Sequence, residues 1–246
     1  MKLKIDPGQG VGEIAVILKE SIPVFEKYGI DYYCDGGRTL KDACYYVGVP
    51  LEEVATALEK LEIPEAGWYV REPDWQKEPM AKLIEYILQT HHAFARAQIK
   101  RISNLVGEAA SRIEGPPAEL AAIQGLFQGM ADEMENHMRH EEEVVFPYLL
   151  EVERSLANHL PLPKTFEKFD YLHHPLHILA WEHGMTEKEW KEIGRLTGNF
   201  KAADSRREGL QQLFDALLRL EKDNRNHVHL ENNILLKKAA QLGLLD

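Results

Sequence analysis

The sequence predicts an all-α protein. Four long stretches carry apolar residues at helical period and are parted by short breaks rich in glycine and proline. Alternating, strand-like patterns are negligible. Histidine and glutamate recur within the long stretches one helical turn apart, a spacing that brings side chains together only on a helix.

The elements follow in order. Glu13–Tyr28 spaces Ile14, Ile17, Leu18, Val24 and Phe25 helically, with Pro23 set to bend or break the run and Gly29 to cap it. A turn over Asp31–Arg38 holds Cys34 and Gly36-Gly37. Thr39 then caps a short helix, TLKDACYYVG, and Pro50 starts another through Leu61. Residues 1–62 thus form a small helical, cysteine-bearing domain, and the proline-rich residues 63–79 form a linker. Residues 80–246 hold the long helices: Met80–Ile113, stopped by Gly115-Pro116-Pro117; Ala118–Leu156, bent or shortened at Pro147; Thr165–Thr197, where Pro175 and Gly184 can interrupt; and Ser205–Leu242. Long helices with short connections suggest an up-down-up-down four-helix bundle.

Composition narrows the function classes. Forty acidic against 29 basic residues give a net charge of −11, which argues against nucleic acid as a partner. No apolar run approaches the ~18–20 residues of a membrane span, so no membrane association is expected. The start, MKLKIDPGQGVG, does not resemble a signal peptide. Two cysteines, Cys34 and Cys44, make no disulfide framework, and a cytoplasmic setting fits. Gly8–Gly12 has no preceding strand and is not a nucleotide loop.

The chemistry lies in the histidines. The first long helix carries His92 and the second His137-x-x-x-Glu141; the third carries His183 and the fourth His227-x-x-x-Glu231. His92 and His137 stand 45 positions apart, His183 and His227 stand 44 apart, and each Glu is followed by a similar tail, EEVVF or NNILL. Two like hairpins packed face to face place four imidazoles and two carboxylates together. A carboxylate has two oxygens, so each glutamate can bridge two ions that also take two histidines each. This donor set suits iron or manganese and also zinc. Neither Glu-x-x-His nor His-Glu-x-x-His occurs.

The remaining histidines are weaker candidates. His91 should point about 100° from His92, leaving one of the two facing the core. His140 suits a supporting role, and His229 should not share a face with His227. His173, His174 and His177 fit a solvated helix start better than an accessory metal site, and His159 fits a surface loop. Cys34 is balanced between a reactive thiol, lowered in pKa by a helix start, and a structural one; Cys44 is structural.

These residues carry a resemblance. VGEIAVILKESIPVFEKYGIDYYCDGGRTLKDAC is similar to the first domain of the di-iron iron–sulfur cluster repair proteins, also called repair-of-iron-centers proteins. IEYILQTHHAFAR, HMRHEEEVVFP, PLHILAWEHG and HVHLENNIL resemble the four ligand helices of that family's hemerythrin-like bundle. The resemblance covers almost the whole chain and selects the same six residues: His92, His137, Glu141, His183, His227 and Glu231. Three features depart from the family pattern. Tyr33 replaces the first of two adjacent cysteines, Gly184 stands where an acid is common, and ILLKK replaces a Leu-Phe-Pro ending.

The resemblance implies a centre of two iron ions per chain, non-haem and oxo- or hydroxo-bridged, with manganese or zinc as substitutes. It implies repair of iron–sulfur clusters damaged by nitrosative or oxidative stress through iron handling or donation, with damaged iron–sulfur proteins and small molecules such as NO or dioxygen as partners. Two other readings stay open: a dioxygen- or NO-binding sensor, and an NO-reducing or peroxidase enzyme.

Overall fold

A computed structural model describes residues 5–61, 73–112, 118–166, 174–201 and 208–244. Most of the expected linker, the Gly115–Pro117 stop, the start expected at Ser205 and His173 lie outside these residues, whereas Thr165 and Phe166 form a turn and not the helix start expected there. The chain forms two compact units: Met1–Glu78 together with Val228–Leu244, and Pro79–His227. The last helical run belongs to both, His227 closing its part in one and Val228 opening its part in the other.

In the first unit, Pro23 breaks the first run as its missing N–H requires. Helix α1 (Val11–Ile17) gives way to a 3₁₀ turn (Lys19–Ser21), and Pro23 sits in the first turn of α2 (Ile22–Tyr28). Gly29 ends α2 in the left-handed conformation, with φ of 69°. Thr39 caps α3 (Leu40–Val47) by accepting the Asp42 amide at 3.1 Å, and Pro50 precedes α4 (Leu51–Glu59). Phe25, Tyr32, Leu40, Val54 and Leu58 make the core, and Val228 joins it. Cys44 is buried there, and burial pushes its thiol pKa up, as a structural cysteine requires.

The second unit is the helical bundle. Its first run is α5 (Met80–Tyr86), a π-helical turn (Ile87–His92) and α6 (Ala93–Arg112). The second is α7 (Ala118–His140), a π-helical turn (Glu141–Val145) and α8 (Phe146–Ala157). Pro147 neither stops nor shortens this run, because it falls in the first turn of α8 just after the π-turn. The third run, α9 (Pro175–Leu196), has Pro175 in its first turn and passes through Gly184 unbroken. The fourth is α10 (Glu208–Leu230), continuing through a π-turn (Glu231–Leu235) into α11 (Leu236–Gln241).

The apolar core follows His92 on the first run and His183 on the third, but precedes His137 on the second and His227 on the fourth. Ile102, Phe127, Ile193 and Leu217 exemplify the four contributions. Alternating chain direction requires this order, and it leaves the four histidines together at one end of the core. Among the described residues no helix is long and apolar enough to cross a membrane.

Candidate metal centre

Two groups of nitrogen and oxygen donors form where the histidines meet. His92, Glu141 and His227 make one; His137, Glu141 and His183 make the other; in each, one ligand atom per residue lies within 4.8 Å of the rest. Glu231 stands one turn beyond His227 on the unbroken helix. Five of the six residues expected from the sequence are brought together within the second unit, and the sixth, Glu231, follows on the same helix as His227.

Glu141 divides its carboxylate between the two groups. Its Oε2 lies 3.1 Å from His92 Nε2 and its Oε1 lies 3.2 Å from His137 Nε2. The side chain is fully buried, and neither oxygen receives a hydrogen bond of good geometry. A buried carboxylate so placed needs a cationic partner. Burial raises its pKa, but the imidazoles of His137, His92 and His227 outweigh that and hold the carboxyl well below the usual range.

The imidazoles are aimed by carboxylates behind them. His92 Nδ1 lies 2.7 Å from Glu142 Oε1, and His137 Nδ1 lies 2.7 Å from Glu182 Oε2. An ionised carboxylate only accepts, so each Nδ1 carries a proton, and Nε2 is the atom each ring turns to the interior, where it can donate to Glu141 or offer a lone pair to an ion. His137 Nε2 and His183 Nε2 stand 3.1 Å apart. Two ring nitrogens that close are accounted for by a shared proton or a shared ion. Glu142 is itself held by Arg96, whose Nη1 donates at 2.8 Å while its Nε reaches Glu135 at 3.1 Å. Burial raises the Glu142 pKa, and the Arg96 and His92 contacts more than reverse it.

Each of the three π-turns meets a member of the donor set: one ends at His92, one begins at Glu141 and one at Glu231. A π-turn widens the helix locally, and such turns recur at functional sites. The first also overturns the expectation for His91. Both His91 and His92 are buried, within a π-helical turn and not a regular α-helical one. His91 Nδ1 pairs with Asp223 Oδ1 at 3.0 Å, and its ring stacks on that of His227 with centroids 5.7 Å apart.

Sequence reasoning missed Glu142, Glu182 and Asp223, which reach a histidine on another helix. No spacing within one helix reveals such pairs. Among the other histidines, His229 is buried against Tyr32, and burial, aided by Lys19 and Lys237, lowers its pKa to about 4. His174 starts α9, its Nδ1 accepting the Leu176 amide at 3.3 Å, and its ring lies 5.5 Å from that of His177. His159 is exposed in a loop. Cys34 is half-buried, in a turn where Asp31 Oδ1 accepts its amide at 2.8 Å, and α3 starts at Leu40.

The donor set fits a pair of transition-metal ions by its chemistry: imidazole nitrogens, a buried carboxylate shared between two groups, and outer carboxylates that fix the rings.

Comparison with known proteins agrees. Residues 83–180 match the model of the hemerythrin HHE cation binding domain, and residues 7–62 match a domain of unknown function, DUF542 (ScdA_N). The iron-sulfur cluster repair protein ScdA of Staphylococcus haemolyticus (strain JCSC1435) is 27% identical over 235 residues, spanning 94% of this chain and 97% of its own. The iron-sulfur cluster repair protein YtfE of Yersinia pseudotuberculosis serotype IB (strain PB1/+) is 23% identical over 241 residues, 95% of this chain and 97% of its own. YtfE of Yersinia pestis (strain Pestoides F) matches at the same identity and coverage. The hemerythrin match ends before His183, so the second half of the donor set rests on the geometry.

Proposed function

We propose that this chain, which matches the DUF542 and hemerythrin HHE models and resembles the iron–sulfur cluster repair proteins over most of its length, is a cytoplasmic di-iron protein that repairs clusters damaged by nitrosative or oxidative stress. The observation that carries the reading is the single carboxylate of Glu141 divided between two histidine groups. In this reading His92 and His227 hold one ion, His137 and His183 the other, and Glu141 and Glu231 are shared.

A bound iron pair supplies redox change and open coordination for NO or dioxygen. The protein supplies the rest. Glu142 and Glu182 keep the Nδ1 protons of His92 and His137, so both rings present Nε2 to the interior. Arg96 holds Glu142 in its ionised form. In repair the iron is cargo, handed to a damaged iron–sulfur protein.

The test starts with protein purified anaerobically. Elemental analysis should give close to two irons per chain. The iron-loaded protein should then restore activity to an iron–sulfur hydratase inactivated by NO, and a Glu141→Gln variant should not. Sustained NO consumption without reactivation would identify an enzyme instead. Binding of NO or dioxygen with neither outcome would identify a sensor.

A further inference from the structure

We propose that Asn232 and Asn233 are positioning residues for Glu231. They tether the turn that carries its carboxylate to the backbone of the Asp31–Cys34 loop. The inference rests on the metal-centre reading and adds what sets the second bridge.

The tether is built from consecutive residues on both sides. Asn232 Nδ2 donates to the Tyr33 carbonyl at 3.0 Å, and Asn233 Nδ2 donates to the Tyr32 carbonyl at 2.9 Å. The second hydrogen of the Asn233 amide faces His229 Nδ1 at 3.0 Å. A backbone carbonyl only accepts, so the amide nitrogen must face Tyr32, and this fixes the orientation of the Asn233 side chain. The loop on the other side is stiff. Asp31 Oδ1 accepts the amides of Tyr33 at 3.2 Å and Cys34 at 2.8 Å, and the fully buried Tyr32 ring packs edge-on to His229.

The Asn233 side chain occupies a slot that two glycines leave open. A Cβ on Gly12 would lie 2.1 Å from Asn233 Oδ1, and one on Gly36 would lie 2.2 Å from it. The Gly12 amide donates to the Gly36 carbonyl at 2.8 Å, which closes the slot on a fixed backbone pair. The fit is therefore specific to an amide at 233 and glycine at 12 and 36.

The place of the tether gives it consequence. Glu231–Leu235 is a π-turn, a local departure from the α-helical hydrogen-bond pattern on either side, of the kind that recurs at functional sites. Two side chains immediately after Glu231, each bonded to a carbonyl of the loop, restrain that turn. All these residues, Glu231 included, lie in the N-terminal compact unit.

The experiment compares wild type with Asn233→Ala, Asn233→Asp and Asn232→Ala, with helicity checked by circular dichroism. Asn233→Asp keeps the shape and removes the donor; Asn232→Ala removes the half-buried member and leaves a folded variant if the buried position proves intolerant. Hydrogen exchange of amides 231–235 is first read on metal-free protein, and should quicken about tenfold when a buried tether is lost. Mössbauer coupling and iron release to a chelator are then read on loaded protein. Release should quicken about tenfold or more, the usual effect of losing a residue that orients a ligand, and the coupling should change. A merely structural role would move the exchange and leave the coupling as in wild type, and that result overturns the inference alone. Unchanged exchange in folded variants also overturns it, whatever the metal does. A wild-type protein that takes up no coupled pair overturns the metal-centre reading and this inference with it.

Discussion

Glu141→Gln and Glu142→Gln form the most informative pair of substitutions, because the two residues are adjacent and both touch His92. The Glu142 carboxylate meets Nδ1, on the outer side of the ring. The Glu141 carboxylate meets Nε2, on the inner side, and also meets His137 Nε2. Replacing Glu142 leaves every inner donor in place and loosens one ring, so the loss should be that of an orienting residue. That is about 10–100-fold in affinity, or about 1.4–2.7 kcal/mol, for one of two ions. Replacing Glu141 removes a shared anion, so both ions should weaken, each by more than that range. Metal-free protein titrated with Co(II) or Fe(II) against a competing chelator resolves two affinities and measures both effects. Glu142→Gln with two wild-type affinities would refute its orienting role. Glu141→Gln that loses only one ion, or less affinity than Glu142→Gln, would refute the shared carboxylate.

Three further outcomes follow from the geometry. His92→Ala should lose an ion, while His91→Ala should keep two and lower the unfolding free energy by about 1–3 kcal/mol, since it leaves Asp223 without its imidazole partner; chemical denaturation of metal-free protein measures this. Glu141 and Glu142 both have folded pKa values below the ordinary carboxylate range, so the stability they contribute is present above about pH 4.3 and is lost as the pH falls through the lower folded values. Urea midpoints should therefore fall in acid, less steeply for Glu142→Gln, and equal slopes would contradict the depressed pKa. Gly36→Ala should destabilise the N-terminal unit by thermal melting, because its Cβ would meet Asn233 Oδ1 at 2.2 Å and the Tyr32 carbonyl at 2.7 Å; a melt unchanged from wild type would show the slot to be open.

The four long helices and the six candidate residues were legible in the sequence because both are periodic. Helical period marks the core-facing stripe, and a His-x-x-x-Glu pair is a statement about one face of one helix. What stayed hidden depends on contacts between helices or on departures from period. Glu142 lies one position beyond the motif and, on its own helix, turns away from His137. Its function comes from His92, 50 positions earlier, which no local pattern reports. Pro147 was expected to bend or shorten its helix because a regular α-helix was assumed around it. Asn232 and Asn233 looked like a polar tail to the motif, yet their partners are Tyr33 and Tyr32, about 200 positions away.

The histidine pair at 91 and 92 shows the physical origin of these misses. In an α-helix neighbours diverge by about 100°, so two adjacent histidines cannot both serve one interior. The turn Ile87–His92 departs from that rule, and both rings are buried: one pairs with Asp223 and stacks on His227, the other turns its Nε2 toward Glu141. Glu141 and Glu231 also open π-turns. A regular α-helix favours the even stripe that a uniform apolar core needs. Gathering polar side chains at one level of a bundle draws on local changes of phase, each adding one residue to a turn. Supporting contacts gather beside those turns: Glu142 and Arg96 behind His92, Asp223 behind His91, and the two asparagines after Glu231.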